Sequence, residues 1–557
     1  MEAAPMRITR LFACLALFAL SAVAQDWGTA AANGARDAAP QAMQSILAAD
    51  LAAHLNELAS DAYEGRLTGT AGQRKAADYI IKRFESLGLK PLGDKTSDAP
   101  DAPRQWLQHY PVHIRSVLAG SGVFGADDKP VTQHGAWVLP KDIAEAALDV
   151  SAEPLFLGRI KKGDLEGKDL SKCIPVVSVP MDTSADEGMT VNDAMMKGMM
   201  VEFGAVRQAA SLLSAAGAKC AIIVTRKLNK PFLSAANMMA VFPGKPEVSM
   251  KQSAMGAMSM TARAKIPVLV VGGPDADALL AAMGVDADAL DRGVQAHAGP
   301  TKLHIVLKAE EGKSTATNVA AYLPGRDTAV ADEALVYSAH MDHVGMAPDG
   351  QAFNGADDNG SGTASILEIA EAYSQLKGDE RPRRSIIFLS VSGEELGLWG
   401  SEWFANNPTW PLEKLIANVN IDMIGRSTAS VPTTAISVTP TWRHKQYSTL
   451  TRDAAFLGQA FDLNLANGDR FYTRSDHYNF AKKGVPVVFF CDDEHADYHM
   501  TSDDPDKIEV AKVERIVRMA FLLGLRAANA DKRPETIGAH TDWFGEKKPP
   551  KAAKSDK

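Results

Sequence analysis

The sequence has few cysteines, no excess of basic residues and only one long apolar run. Its 557 residues include 4 Cys, which excludes a small scaffold held together by many disulfides. The 59 basic residues are outnumbered by 68 acidic ones, and the net charge of -9 provides no positive field that would attract nucleic acid. With 46% hydrophobic and 23% charged residues, the composition excludes wholesale disorder, and the length allows roughly three domains.

The one long apolar run lies near the N-terminus, at residues 11–23. Arg7 and Arg10 precede it, and Ala22-Val23-Ala24 obeys the small-x-small cleavage rule, so residues 1–24 are predicted to be an export signal. The run is 13 residues long, shorter than the ~20 apolar residues that cross a bilayer. We therefore expect an exported protein, periplasmic or extracellular, without a membrane span.

The cysteines and the C-terminus add two further expectations. Removal of the signal would leave Cys173, Cys220 and Cys491, so at most one disulfide can form, and the sequence does not say whether one does. Residues 546–557 contain five Lys and two Pro and almost nothing apolar. A segment of this composition cannot bury a core, so we predict a polar, disordered tail over 528–557.

From Asn318 onward, short apolar strands alternate with helical stretches, a pattern typical of an α/β domain with a largely parallel sheet. The predicted strands are 335–339, 386–391, 416–421 and 485–490, with helices at 363–376 and 448–461. Between about 148 and 300 the composition changes, and a predicted helix is followed by two predicted strands. The sequence therefore predicts an α/β fold, a mostly parallel mixed sheet flanked by helices, with a second α/β unit inserted into it.

Polar side chains collect where the predicted strands end. They are His340, Asp342, Asp357, Asp358, Glu394, Glu395, Asp422, Tyr498 and His499. In open α/β sheets the carboxyl ends of the strands are where ligands bind. We therefore expect these side chains to form one site.

The residue types at these positions indicate a metal centre. Two imidazoles and several carboxylates without a thiolate suit zinc or a similar transition metal in a hydrolytic site. Burying so many carboxylates together would be prohibitive unless cations neutralised them. Five ligands with one shared carboxylate would serve two metal ions, and the spacing alone leaves Asp357 and Asp358 both open as the shared residue.

The local spacing suggests two further roles. In a strand, His340 and Asp342 project to the same side, so Asp342 can accept the second imidazole proton and fix the tautomer. Glu394 and Glu395 are adjacent and point in different directions along an extended chain. One of them can bind metal while the other handles a proton.

Several blocks of the sequence resemble those of the co-catalytic zinc exopeptidases of peptidase family twenty-eight (clan MH), which includes secreted aminopeptidases and glutamate carboxypeptidase. The matching blocks are Ser338 to Gly345, Gly355 to Gly362, Ser392 to Gly397, Asn420 to Met423, Asp497 to His499 and, near the N-terminus, Leu58 to Gly72 with Glu64-Gly65-Arg66. The resemblance covers roughly Met43 to Ala527, and the middle block is similar to a protease-associated (PA) domain. It implies a discontinuous zinc peptidase domain over 25–140 and 301–527 and an inserted PA-like domain over 141–300.

The resemblance also implies a role for each site residue. His340 and Asp422 would hold one zinc ion, Glu395 and His499 the other, and Asp358 would bridge the two. Glu394 would be the general base, and Tyr498 would help to stabilise the tetrahedral oxyanion. His343 and His495, which lie near these residues in sequence, are interpreted as pocket-wall or loop residues, and His477 as structural.

The expected function is a secreted dizinc aminopeptidase that hydrolyses N-terminal residues from peptides through a metal-bound hydroxide and a Glu general base. A carboxypeptidase is the first alternative, because arginines are available to hold a substrate carboxylate: Arg326, Arg426, Arg443, Arg470 and Arg474. A glutaminyl cyclase-like enzyme with a single zinc ion is the second. A binding protein on an inactive peptidase scaffold is disfavoured, because none of the ligand positions is missing.

Overall fold

The computed structural model of the protein describes residues 29–132, 134–140, 147–179, 204–225, 241–250, 265–286, 297–299 and 301–544. The predicted export signal over 1–24 and the last part of the predicted tail lie outside these ranges. Across the ranges that the structure describes, none of the helices combines the length and the apolar character needed to cross a membrane. Cys173, Cys220 and Cys491 are free thiols.

The described residues form eighteen strands, numbered in chain order. They are β1 Lys90–Pro91, β2 Leu107–Val117, β3 Gly122–Phe124, β4 Ala136–Val138, β5 Leu148–Gly158, β6 Cys173–Ser178, β7 Ala221–Thr225, β8 Glu247–Ser249, β9 Val268–Gly272, β10 His297–Ala298, β11 Leu303–Leu307, β12 Ala309–Leu323, β13 Ala334–His340, β14 Ser385–Val391, β15 Leu415–Ile421, β16 Ala435–Thr439, β17 Asn464–Asn467 and β18 Val487–Cys491. The helices are 29–37, Ala48–Leu58, Ala71–Ser86, 204–215, Gly273–Ala282, Gly362–Gln375, Trp399–Asn406, Thr449–Gly458, His477–Ala481 and Val510–Asn529.

The larger sheet has ten strands in the order β17-β16-β18-β15-β13-β14-β12-β2-β8, with β1 paired to β12. Its four central strands, β14, β13, β15 and β18, run parallel to one another, and every one of their residues is buried. The outer pairs β12–β14, β2–β12 and β16–β18 are antiparallel. This arrangement confirms the predicted α/β fold with a mixed sheet, whose parallel part is its centre.

Both faces of the larger sheet are covered by helices. Along β13, Leu335, Tyr337 and Ala339 face the main core, which includes residues of the helices Gly362–Gln375 and Val510–Asn529. The intervening residues Ala334 and Val336 belong to a second cluster with aromatic side chains of the shorter helices. The strand therefore buries alternate side chains on two faces, which explains why its sequence is apolar throughout.

The smaller sheet has eight strands in the order β3-β11-β5-β6-β7-β9-β4, with β10 paired to β5. The strands β5, β6, β7 and β9 are parallel, and the helices 204–215 and Gly273–Ala282 cover opposite faces of them. The chain enters this unit after Val117 and leaves it before Ala309, which face each other at the end of the β2–β12 pair. Within this stretch, β8 pairs with β2 and so belongs to the larger sheet. The smaller sheet thus extends beyond the limits of 141–300 predicted for the inserted domain, because β3 and β4 pair with strands far along the chain. The division into domains stays a prediction.

Part of the segment predicted as a tail packs on the fold. The helix Val510–Asn529 includes its first two residues, and Ile537 N donates to Tyr447 O at 2.8 Å. The Trp543 ring lies 4.5 Å from that of Trp442. These apolar and aromatic side chains explain why the described residues up to 544 differ from the predicted disordered tail, whose lysine-rich end lies outside the described residues.

A buried ion pair connects the last long helix to the end of β18. Lys512 Nζ lies 2.7 Å from Asp492 Oδ1, and neither side chain is exposed to solvent. The same ammonium donates to Arg426 O at 2.9 Å, and Arg426 N donates to Asp492 Oδ2 at 3.2 Å. Burial raises the pKa of Asp492 well above its usual value, and Lys512 acts against that increase. The pair therefore links three segments: the loop after β15, the loop after β18 and the start of the helix Val510–Asn529.

Lys512→Met is expected to lower the free energy of unfolding by about 3–5 kcal/mol, because it leaves a buried carboxylate without its cation. Urea unfolding would measure this loss. The double variant Lys512→Met/Asp492→Leu removes both charges and is expected to recover most of it. A single variant as stable as the wild type would contradict the structural role of the pair.

Candidate active site

The predicted site residues follow the carboxyl ends of the four central strands. His340 is the last residue of β13 and pairs in register with Val391, the last residue of β14, which is followed by Glu394 and Glu395. Asp422 follows β15, whose last residue pairs with Phe490 of β18. Because parallel strands bring their carboxyl ends to one edge, residues separated by more than 150 positions meet there.

The first cluster of side chains contains His340, Asp358 and Asp422. His340 Nε2 lies 3.2 Å from Asp422 Oδ1 and 3.4 Å from Asp358 Oδ1. Nδ1 of the same ring donates to the backbone oxygen of Asp342 at 3.1 Å. Since a carbonyl oxygen can only accept, Nδ1 carries a proton, and Nε2 is the nitrogen that faces the two carboxylates.

The second cluster contains His343, Asp358, Glu395 and His499. His499 Nε2 lies 2.9 Å from Glu395 Oε2 and 3.0 Å from Asp358 Oδ2. His343 Nδ1 lies 2.6 Å from Glu395 Oε1. Asp358 therefore contributes one oxygen to each cluster, and all five residues predicted as ligands come together.

The neighbouring carboxylate, Asp357, points elsewhere. Its Oδ1 accepts from Gly425 N at 2.6 Å, and its Oδ2 lies 3.2 Å from His495 Nε2. His477 lies outside both clusters and stacks on Phe489, with the ring centres 4.4 Å apart. Of the two aspartates that the spacing left open, only Asp358 faces both imidazoles.

The field at the site favours positive charge. Burial opposes the imidazolium form of His340, yet the carboxylates of Asp422 and Glu394 raise its pKa well above its usual value. Burial likewise opposes charge on His499, but Glu395 and Asp358 raise its pKa to about 10. Burial raises the pKa of Glu394 well above its usual value despite the opposing effect of His340. The carboxylates thus attract positive charge to the cluster, as protons on the imidazoles or as metal ions.

This arrangement fits a pair of divalent cations. In each cluster an imidazole nitrogen faces carboxylate oxygens on two sides, and acceptor atoms at such distances repel unless a proton or a metal ion lies between them. The donor set of nitrogen and oxygen atoms without thiolate suits zinc, and a carboxylate with one oxygen in each cluster suits a bridged pair.

Three further residues surround the clusters. The Asp342 carboxylate is 3.7 Å from His340 Nδ1 and instead accepts from the Thr68 hydroxyl at 2.9 Å, so the backbone oxygen of Asp342 fixes the tautomer in place of the predicted carboxylate. Glu394 N faces the other oxygen of Asp342 at 3.4 Å. Tyr498 stacks on His499, with the ring centres 3.9 Å apart.

An open pocket lies over the site. It is lined by Asp358, Glu394, Asp422, Met423, Phe471, Arg474, Phe489, Cys491, Glu494 and Tyr498. Four of these residues, Met423, Phe471, Phe489 and Cys491, form one apolar cluster that Tyr498 packs against. Arg474 pairs with Glu494 at 2.6 Å. The pocket thus has an apolar wall and carboxylates at its bottom.

Arg66 holds the loops that carry the candidate ligands, a role that the sequence did not reveal. Its guanidinium donates to four backbone oxygens at 2.7–2.9 Å, those of Leu58, Met341, Asn354 and Gly355. Burial lowers its pKa to about 10, so the group stays charged at neutral pH. In the sequence, Arg66 is marked only by its place in the block Glu64-Gly65-Arg66, which contributes to the family resemblance but does not indicate this role.

Arg66→Lys is expected to lower the free energy of unfolding by about 3 kcal/mol, because a single ammonium cannot satisfy four buried carbonyls. Urea unfolding of the metal-free protein measures this effect. The matched control is Arg74→Lys, since Arg74 donates to one carbonyl, that of Gly69, at 3.2 Å. Equal, small losses in both variants would contradict the role assigned to Arg66.

Comparisons with known proteins find relatives among peptidases. Aminopeptidase YwaD of Bacillus subtilis is 28% identical over 212 residues, which are 36% of this chain and 43% of YwaD. Leupeptin-inactivating enzyme 1 of Streptomyces exfoliatus is 32% identical over 175 residues, which are 31% of this chain and 35% of that enzyme. The chain thus spans less than half the length of these two curated relatives.

A solved structure extends the likeness to the fold. BSAP, a zinc aminopeptidase from Bacillus subtilis, is 19% identical and superposes with a TM-score of 0.53 over 86% of this chain and 94% of BSAP. Residues 318–523 match the model of Peptidase family M28, and these residues include all five candidate ligands. Residues 318–523 of this chain therefore form a domain of peptidase family M28.

Proposed function

We propose that this protein is an exported dizinc aminopeptidase that hydrolyses N-terminal residues from peptides. The observation that carries the proposal is the position of Asp358, which offers one oxygen to each of two clusters that both contain an imidazole and another carboxylate. The names of the relatives, an aminopeptidase and a zinc aminopeptidase, support the same activity. Export rests on the signal pattern at residues 1–24.

Each residue has a distinct task in this proposal. His340 and Asp422 would hold one ion and Glu395 and His499 the other, with Asp358 between them. When bound, the two ions would polarise the peptide carbonyl and lower the pKa of an attacking water toward ~7. Glu394 lines the pocket and would accept the proton of that water and pass it to the leaving amine. The Tyr498 hydroxyl would donate to the developing oxyanion.

The charges in the pocket favour a substrate amine over a substrate carboxylate. Arg474, the one arginine that lines the described pocket, is paired with Glu494. Arg426 is paired with Asp497 at 2.8 Å, and Arg470 is paired with Asp493. A carboxypeptidase would need a cation free to hold the substrate's terminal carboxylate. The described pocket offers no such cation, because its arginine is held by Glu494.

Two further parts of the proposal concern metal number and the insertion. A glutaminyl cyclase-like site would use one zinc ion, whereas the presence of two complete clusters favours two ions.

The unit between Val117 and Ala309, with its own sheet and two cores, supports the interpretation of the middle block as an inserted PA-like domain.

Glu394→Gln is expected to retain both metal ions but to lower kcat at least about 100-fold, because the amide cannot take the proton from water. Metal analysis and steady-state kinetics measure the two effects separately. Glu402→Gln, in the neighbouring helix Trp399–Asn406, is the matched control and should keep normal kcat. Near-normal turnover of Glu394→Gln with both ions bound would overturn the assignment of the base.

A set of matched peptides tests the aminopeptidase activity itself. One apolar peptide would be offered with free ends, with an acetylated N-terminus, with an amidated C-terminus and with an N-terminal glutamine, and mass spectrometry would identify the products. We expect cleavage of the free and the C-amidated forms, and loss of activity after zinc is removed by a chelator. Release of C-terminal residues from the acetylated peptide, or cyclisation of the glutamine, would favour the alternatives.

A further inference from the structure

His343 contacts a candidate zinc ligand although the sequence indicated no such role. Its Nδ1 lies 2.6 Å from Oε1 of Glu395, and its side chain is fully buried. The other oxygen of the same carboxylate, Oε2, faces His499 Nε2 at 2.9 Å. The two oxygens of Glu395 are thus divided between two imidazoles.

The second nitrogen of His343 decides between two roles for this residue. Nε2 is buried, and no residue that the structure describes lies within hydrogen-bonding distance of it. If Nδ1 bound a metal ion, Nε2 would carry the proton and would be a buried donor without an acceptor, whereas metal-binding histidines almost always donate from their second nitrogen. If instead Nδ1 carries the proton and donates to Glu395, Nε2 is deprotonated and needs no acceptor.

The ring of His343 is fixed in this orientation by its surroundings. A Cβ atom at Gly355, where φ is +54°, would lie 2.5 Å from His343 Cδ2, so only glycine admits the ring at this distance. His343 N donates to Arg66 O at 3.4 Å. The ring packs edge-on against His499, with the centres 5.5 Å apart. The contact with Glu395 is therefore part of a rigid arrangement.

We propose that His343 is a positioning residue that donates from Nδ1 to Glu395 Oε1 and so keeps Oε2 directed toward the metal ion shared with His499. This inference rests on the proposed dizinc function. A hydrogen bond to one oxygen prevents rotation of the carboxylate and defines which oxygen binds. Loss of such an outer contact typically lowers metal affinity by about 10- to 100-fold.

Zinc titration of the metal-free full chain against a chromophoric chelator tests the proposal, because it gives a dissociation constant for each ion without measuring activity. His343→Leu removes the donor and keeps an apolar side chain, whereas His343→Asn places an amide N–H close to the position of Nδ1. We expect His343→Leu to weaken one of the two ions about 10- to 100-fold and to leave the other unchanged. His343→Asn is expected to stay within about threefold of the wild type.

His54→Leu is the control for the loss of a buried histidine. His54 lies in the helix Ala48–Leu58, 3.2 Å from the buried carboxylate of Glu368 and outside both clusters. We expect it to leave both zinc affinities unchanged. Should His343→Leu fail to fold, His343→Ala, which also lacks the donor, takes its place in the comparison with His343→Asn.

The remaining outcomes separate this inference from the function on which it rests. Equal weakening of both ions in His343→Leu, unchanged affinity in that variant, or a loss in His343→Asn as large as in His343→Leu would each overturn the positioning role. If the wild-type chain binds two ions and His343→Leu binds both with the same affinities, this inference alone is overturned. A wild-type chain that binds fewer than two ions overturns the dizinc proposal and the inference together.

Discussion

The burial of several carboxylates at one sheet edge is the constraint on which the rest of the site depends. The side chains of Asp358, Glu395 and Asp422 are at most 10% exposed, and carboxylates so deeply buried are costly unless positive charge compensates them. Parallel strands bring them together, because the carboxyl ends of β13, β14, β15 and β18 meet at that edge. Two imidazoles with raised pKa values reflect the same demand for positive charge, which the proposed metal ions would satisfy.

A second layer of polar groups fixes the backbone around these carboxylates. Asp503 Oδ2 accepts from the backbone N–H groups of Asp357 and Asp358 at 3.0 and 3.1 Å, and the Ser475 hydroxyl donates to Asp422 Oδ2 at 2.8 Å. Arg66 donates to Met341 O, in the loop after β13, and to Gly355 O, in the turn that leads to Asp358. Because four of the five candidate ligands have such an outer contact, these contacts would hold them in place before an ion binds, which would lower the cost of binding one.

The sequence predicted that the candidate ligands would meet at one sheet edge, but it did not predict the residues that surround them, and both results have physical reasons. His340 and Asp422 lie at strand ends, where strand periodicity and the rule for open sheets determine position. His343 lies three residues beyond a strand end, and its direction depends on the path of a loop held by Arg66 and Gly355, which local patterns do not encode. The smaller sheet also includes β3 and β4, which lie outside 141–300. The sequence did not place them in that sheet for a similar reason, because they are short strands whose partners are distant in the chain.

The insertion contacts the same loops that carry the site. Phe242, in the stretch before β8, forms a small cluster with Ala136 against Met346, which lies three residues after His343. Val248 of β8 belongs to the cluster that contains Trp399, at the end of the loop that begins with Glu394 and Glu395. Since both loops bury apolar surface against the inserted chain, a displacement of that chain would expose this surface to water. The chain between Val117 and Ala309 therefore packs against the loops that carry the candidate site residues, and removing it would expose apolar surface on both loops.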